Sequence, residues 1–246
     1  MACASLDRAW VQAVSERDIA TLERLLGRGV DVDLSTADGK TALMLAAQQG
    51  NTGLVRALLD AGAGIDVTNT RGGTALMYAA LASDPAAAGL LLERGADVDR
   101  QSSNGWTALM IAAVKGHVEP VDLLLNRGAD PNRRDMYGWT PLMRAASGHR
   151  VAVVRRLLAS KATDRDATNE SGATALHEAA RNGHVEAVQL LIDSGADLAA
   201  QDREGRTPAM LARERGYEDV VELISRSLAG GTSCRADYPH RTCEAQ

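Results

Sequence analysis

Phenylalanine is absent from this 246-residue chain and aromatic residues make up only 3% of it, so the places where aromatics do occur are informative. Cysteine is scarce too: Cys3, Cys234 and Cys243 lie near the two ends, where they cannot form a disulfide framework for the body of the fold. No apolar run approaches the roughly 20 residues a membrane helix needs. The opening MACASLDRAW has neither the basic flank nor the apolar stretch of a secretory signal, so a soluble, cytoplasmic protein is expected. Positive charge is not in excess either. With a formal charge of -5 and a pI near 5.6, the chain has no general attraction for phosphate backbones or anionic lipid, which argues against nucleic-acid and membrane partners. Nucleophile-elbow, P-loop, HExxH and dinucleotide-binding motifs are all missing, and the histidines do not gather with cysteines or carboxylates at metal-ligand spacing in the central region. No catalysis and no cofactor are expected.

What the chain has is one phrase repeated in register. TALM begins at Thr41, Thr74 and Thr107, TPLM at Thr140, TALH at Thr174 and TPAM at Thr207, at intervals of 33, 33, 33, 34 and 33 residues. A glycine stands two positions before each: Gly39, Gly72, Gly105, Gly138, Gly172 and Gly205. A fixed period of this length means stacked supersecondary units, so the repeat is the unit of structure. In the unit beginning at Gly105, the residues Ala108, Leu109, Ile111, Ala112 and Ala113 suit a short, closely packed helix ended by Gly116. His117 can cap a second helix that carries Val118, Val121, Leu124 and Leu125 on one face and closes at Gly128. Along the chain that capping position reads Asp18, Asn51, Asp84, His117, Arg150, His184 and Tyr217. Between units, segments such as ADVDRQSSNG end in a glycine suited to positive φ, giving a hairpin-like finger. Helices this short are unstable alone, so burial between neighbours must stabilise them.

These residues resemble the ankyrin repeat family, whose unit of about 33 residues carries a T-P-L-H-x-A signature. The resemblance covers residues 6–228 and implies an all-α solenoid of stacked helix-turn-helix units with hairpin-like fingers and a concave binding face. The divisions are an N-cap at 1–33, repeats at 34–66, 67–99, 100–132, 133–166 and 167–199, a C-cap at 200–228 and a disordered tail at 229–246. Leu25 and Leu26 align with Leu58 and Leu59, which places Arg8 at the threonine position of a first unit lacking its finger. Arg213, Glu214, Arg215, Glu218, Asp219 and Glu222 give the last unit the charge of a cap facing water.

The family usually has histidine at the fourth place of the phrase, where the resemblance implies a hydrogen bond to the neighbouring finger. Only His177 keeps it; Met44, Met77, Met110, Met143 and Met210 replace it as core filler. Repeat five is irregular. Its first helix ends in Ser147-Gly148-His149, its second at Lys161 where the others have glycine, and one extra residue lies within 163–167. Lysine in a left-handed cap would cost about 1 kcal/mol. The irregularity is either a tolerated loop variation or a soft joint between repeats five and six.

Fingers and first helices line the concave face in this family, so the resemblance points to the residue before each threonine and the first outward helix position after it. The former are Lys40, Gly73, Trp106, Trp139, Ala173 and Arg206; the latter are Leu45, Tyr78, Ile111, Arg144, Glu178 and Leu211. The scarce aromatics Tyr78, Trp106, Tyr137 and Trp139 fall here, surrounded by Leu81, Ile111, Val114 and the fingertip Met136. Between Arg127 and Arg165 cations exceed anions by six, and Arg133, Arg134 and Arg144 among them lie toward the fingers. These eleven residues form the candidate partner-binding set. The plainer alternative has both tryptophans covering the bases of neighbouring fingers.

The leading functional reading is a monomeric, non-catalytic scaffold or adaptor whose concave face binds a protein partner, an apolar segment with acidic flanks, and tethers or inhibits it. A second is an exported protein acting on a target in another compartment or host cell, as ankyrin arrays are known to do. A third is a metal- or redox-responsive sensor that uses Cys234, His240 and Cys243 in the tail. Asn169-Glu170-Ser171 matches a glycosylation sequon, an incidental match unless the chain is secreted.

Overall fold

The repeated phrase begins with threonine because threonine starts the helix. In the computed structural model, which describes residues 2–236 and the side chains of 5–229, each phrase threonine is an extended N-cap. Its hydroxyl accepts from the backbone N–H three residues on, at 3.3 Å from Met44 N and 3.2 Å from Met110 N. The first unit pairs α1 (Ala2–Glu16) with α2 (Ile19–Leu25). Then come α3 (Ala42–Gln48) with α4 (Thr52–Asp60), α5 (Ala75–Ala79) with α6 (Ala86–Glu93), and α7 (Ala108–Lys115) with α8 (Val118–Asn126). The last pairs are α9 (Pro141–Ser147) with α10 (Val151–Ala159), α11 (Ala175–Arg181) with α12 (Val185–Asp193), and α13 (Pro208–Glu214) with α14 (Glu218–Ala236). First helices stack on first helices in chain order from α3 to α13, and α8, α10, α12 and α14 stack likewise. The fold is all-α; among the described residues there is no strand.

Alanine makes this stacking close. Ala46, Ala47, Ala112, Ala113, Ala145, Ala146, Ala179 and Ala180 are fully buried, and the leucines beside them continue one core from repeat to repeat. Met44, Met77, Met110 and Met143 are buried as filler, whereas Met210 is 49% exposed, since no further unit stacks on it among the described residues. The fingers are hairpin-like turns, each closed by a bond such as Ser102 N–H to Trp106 O at 2.9 Å. Each finger is also bonded to the one before it. Ser103 N–H donates to Arg71 O at 2.9 Å, Met136 N–H to Asn104 O at 3.0 Å and Glu170 N–H to Tyr137 O at 3.1 Å.

Three expectations change. Asp18 and Asn51 cap their helices as anticipated, and Asp84 Oδ1 accepts from Ala86 N–H at 2.9 Å with helical Pro85 following it, but His117, Arg150 and His184 form no side-chain cap. The longer side chains of Arg150 and His184 reach the preceding first helix instead, where terminal carbonyls need donors, whereas His117 Nδ1 is buried with no hydrogen-bond partner among the described residues. Arg150 Nε donates to Val114 O at 2.8 Å, and His184 Nε2 bonds Ser147 O at 3.0 Å. Lys161 does not enter the left-handed region either. The chain turns away at Ser160 (φ -78°, ψ 121°), and Thr163 Oγ1 donates to Leu157 O at 2.7 Å. The extra residue is absorbed there, and lateral bonding continues through repeat five: Asp164 N–H meets Asn132 Oδ1 at 2.7 Å, as Asp130 N–H meets Asp99 Oδ1 at 3.0 Å. Finally, α14 runs to Ala236, past the boundary expected at 228; residues 237–246, with His240 and Cys243, and the side chain of Cys234 lie outside what is described.

Left-handed non-glycine backbone occurs at Arg17 (φ 59°) and His149 (φ 55°), both in the register that holds Gly50, Gly116 and Gly183. His149 is exposed, and its ring meets Glu186 at 3.3 Å in an exposed pair of small energetic weight. His149→Gly should therefore stabilise the protein by about 0.5–1 kcal/mol, the strain relieved less the entropy glycine adds to the unfolded chain. Equilibrium urea denaturation measures it; a destabilised variant would show that the imidazole contacts outweigh the strain.

Candidate functional site

In three repeats the residue that opens the finger has two tasks. Asn69 Oδ1 accepts from Arg71 N–H at 2.9 Å and Gly73 N–H at 2.8 Å, which leaves Nδ2 to donate to Tyr78 Oη at 2.9 Å. Asp135 Oδ1 accepts from Tyr137 N–H at 2.9 Å and Trp139 N–H at 3.0 Å, while Oδ2 pairs with the Arg144 guanidinium, 3.1 Å from Nε. Asn169 Oδ1 accepts from Ser171 and Ala173 N–H, and its Nδ2 lies 3.5 Å from Glu178 Oε1. In these three repeats finger and first helix are thus tied across nine residues, the outward helix residue matching whatever atom the finger residue has spare. Asn169 is 5% exposed, so the sequon match there is a buried turn residue.

Arg144 is the centre of the aromatic cluster. Its guanidinium carbon lies 4.9 Å from the Trp106 ring and 4.5 Å from the Trp139 ring, with the fully buried carboxylate of Asp135 behind it. The cation is therefore neutralised and sandwiched; it fixes the two indoles and is not a free charge awaiting an acidic partner. Arg134 is likewise committed, its Nε donating to Gly138 O at 3.2 Å and its Nη2 to Thr168 O in the next finger. Arg133 is exposed and pairs with Asp130 at 3.7 Å. Arg127 and Arg156 meet Glu93 and Asp122, acids that lie outside the 127–165 stretch, so the apparent excess of positive charge there is partly cancelled.

The row of outward helix positions is closed at its ends and open in its middle. Leu45, Glu178 and Leu211 are buried, Glu178 so deeply that desolvation pushes its pKa up against the opposing pull of Arg181 and Asn169. Tyr78, Ile111 and Arg144 stay partly open. Next to them is a concave pocket of about 500 Å³ lined by Tyr78, Leu81, Trp106 and Ile111, with Met77 and Gly73 also in its lining. Four candidate residues therefore meet in one cavity, and Trp106 joins that cavity to the Arg144 and Trp139 stack. Met136 and Tyr137, each 55% exposed, stand at the tip of the adjoining finger. Val114 is the outlier: half-buried near the end of α7, it contributes a carbonyl to Arg150 and does not line the pocket. Gly73 was noted in the sequence only for its place before Thr74, and Arg71, Asn69 and Asp135 were missed by sequence reading. The repeated nine-residue spacing of Asn69 and Tyr78, Asp135 and Arg144, and Asn169 and Glu178 is the signal that could have found the last two.

His177 performs the bridging role that the resemblance implies. Its Nδ1 accepts from Thr174 N–H at 3.2 Å and its Nε2 lies 3.0 Å from Arg206 O in the following finger. Burial depresses its pKa, with the Arg206 carbonyl and Asp202 opposing, and protonating Nδ1 would aim a proton at the Thr174 N–H. Because the folded-state pKa is the lower one, the unfolded chain binds the extra proton first, so stability falls as pH drops below the ordinary histidine value of about 6.5. His177→Met, which restores the residue of the other five phrases, should weaken that acid dependence. His184, also depressed by burial, keeps part of it. Urea midpoints at mildly alkaline and mildly acidic pH test this; equal acid losses in the two proteins would refute it.

No described helix is long and apolar enough to cross a membrane, and among the described residues no group of three or more His, Cys, Asp or Glu is placed to hold a metal ion. A comparison with curated proteins found no match. The family model described as ankyrin repeats (3 copies) matches three times, over residues 10–102, 90–169 and 152–234. Period, capped helix pairs, bonded fingers and these matches agree, and the chain belongs to the ankyrin repeat family.

Proposed function

We propose that this chain is a non-catalytic scaffold or adaptor that holds a protein partner against the middle of its concave face and thereby tethers or inhibits it. Ankyrin repeats are in general protein–protein interaction modules, and what localises the reading is the pocket of Tyr78, Leu81, Trp106 and Ile111 running into the Trp106, Arg144 and Trp139 stack. Both tryptophans present partly open aromatic surface on a rigid support, the property of residues that dominate interface energies. Arg144, pinned between them, loses little freedom when a partner arrives. Met136 and Tyr137 extend the apolar surface along the neighbouring fingertip.

The test is the Trp106→Ala/Trp139→Ala protein, checked for an unchanged helical signal and melting curve. Partners retained by the wild type should be lost, or bind with a deficit of about 2 kcal/mol or more. Retention of the same partners with the same dissociation constants would remove this face from consideration.

A further inference from the structure

Resting on the concave-face reading above, we infer that the pocket between repeats three and four takes one bulky apolar side chain of an extended protein segment, and that Arg71 receives a carboxylate next to it. The cavity lies where one side chain is missing. In the repeats on either side, the residue before the phrase threonine covers the outward helix residue of the following repeat: Lys40 Nζ lies 5.7 Å from the Tyr78 ring, and the Trp106 ring lies 4.9 Å from the Arg144 guanidinium carbon. In the same register the third repeat has Gly73. Nothing therefore projects from this position toward Ile111, and a space of about 500 Å³ remains between Tyr78 on one side and Trp106 on the other. Its size suits a leucine or an aromatic ring entering from an open face.

The walls are held before anything binds. Tyr78 Oη accepts from Asn69 Nδ2 at 2.9 Å, and the Arg144 guanidinium packs over the Trp106 ring. A preformed apolar slot favours a partner side chain that would otherwise sit in water. Charge then chooses the neighbour of that side chain. Among the twelve residues lining the pocket there is one cation, Arg71, and no anion, although the whole chain carries -5. Arg71 is exposed and forms no ion pair among the described residues, whereas Lys40, at the Tyr78 side, already faces Asp38 at 3.9 Å. Asn104 and Ser103 at the rim add polar groups for a peptide backbone. The occupant this fits is an extended segment in which an apolar residue is followed or preceded by Asp or Glu.

The experiment selects displayed random short peptides on the full chain, then measures synthetic versions of the winners on wild type and on three variants. Gly73→Trp fills the slot with the residue its own register carries at 106 and 139; the nearest atoms to a Cβ there belong to the Asn69 side chain, at 3.2–3.4 Å, so that side chain must shift by a few tenths of an ångström. Enriched peptides should pair a bulky apolar residue with a nearby acid and lose about tenfold or more in affinity on Gly73→Trp. Arg71→Glu should weaken them several-fold, and exchanging the peptide acid for lysine should reverse that preference. A selection that yields no binder, that enriches no such pair, or whose peptides bind Gly73→Trp unchanged overturns the inference. If those last peptides still fail on Trp106→Ala/Trp139→Ala, the concave-face reading stands and only the occupant is wrong; if they ignore both variants, both fall. Should Gly73→Trp not fold, the charge exchange between Arg71→Glu and the peptide decides alone.

Discussion

Asp135→Ala should be among the most destabilising single changes in the array, costing about 3–5 kcal/mol, the usual penalty for breaking a buried ion pair from one side. The side chain of Asp135 has no exposure, and its two oxygens serve different structures. One accepts the N–H groups of Tyr137 and Trp139 and so shapes the finger; the other neutralises Arg144 between the indoles. Alanine leaves both sets of donors without an acceptor and a guanidinium without a counter-charge. Asparagine should cost about half as much or less, because Asn69 and Asn169 hold the same turn in sister repeats through the same oxygen. Its amide would still point donors at Arg144. Asp135→Asn with Arg144→Tyr recreates the Asn69 and Tyr78 pair of repeat three, and the two changes together should cost at least about 1 kcal/mol less than their sum. Urea denaturation, with amide exchange reporting repeat five separately, reads all of these. Additivity in the double variant, or a loss below about 1 kcal/mol for Asp135→Ala, would show that the pair is not what holds the cluster.

That pair also marks the limit of what sequence reading could reach. The register of threonine, glycine and alanine is a local and repeated signal, and it yields the helix pairs because each threonine caps and each alanine packs in the same way every time. The site is built from positions where repeats differ, and there the energetics are decided between residues distant in sequence. Arg144 reads as a free cation because its buried counter-ion lies nine residues away on another element, and Leu45, Glu178 and Leu211 read as outward although neighbouring repeats bury them. His117, Arg150 and His184 occupy cap positions in sequence but bond backward to the preceding repeat or make no cap at all, since donors longer than a carboxylate or amide find the orphan carbonyls there first. Lys161 suggested left-handed strain by analogy with glycine, yet the extra residue after it lets the chain leave the helix in extended backbone. Gly73 was visible all along as the one unit with no side chain before its threonine. Its meaning needs the knowledge that this position covers the next repeat.

Gly72→Ala should be the other large loss, and Gly205→Ala is its built-in control. Both glycines are left-handed, with φ 74° and 75°, so alanine pays the same backbone strain at each, about 1–2 kcal/mol. What differs is the neighbour. A Cβ at Gly72 would stand 2.7 Å from the backbone nitrogen of Ser103, the donor of the bond that ties this finger to the next, whereas at Gly205 nothing lies within 4 Å, since no further finger packs there among the described residues. The two backbones must separate, adding about 1–3 kcal/mol of overpacking to the strain. The separation also reaches the candidate site, since Thr70, Arg71, Ser102 and Ser103, on either side of that bond, line the pocket. Gly72→Ala should therefore lower both the urea midpoint and the affinity for peptides that enter the pocket, while Gly205→Ala, three repeats away, lowers the midpoint less and leaves peptide affinity alone. Equal destabilisation by the two substitutions would mean that strain within a finger, and not the approach of one finger to the next, is why glycine precedes every phrase.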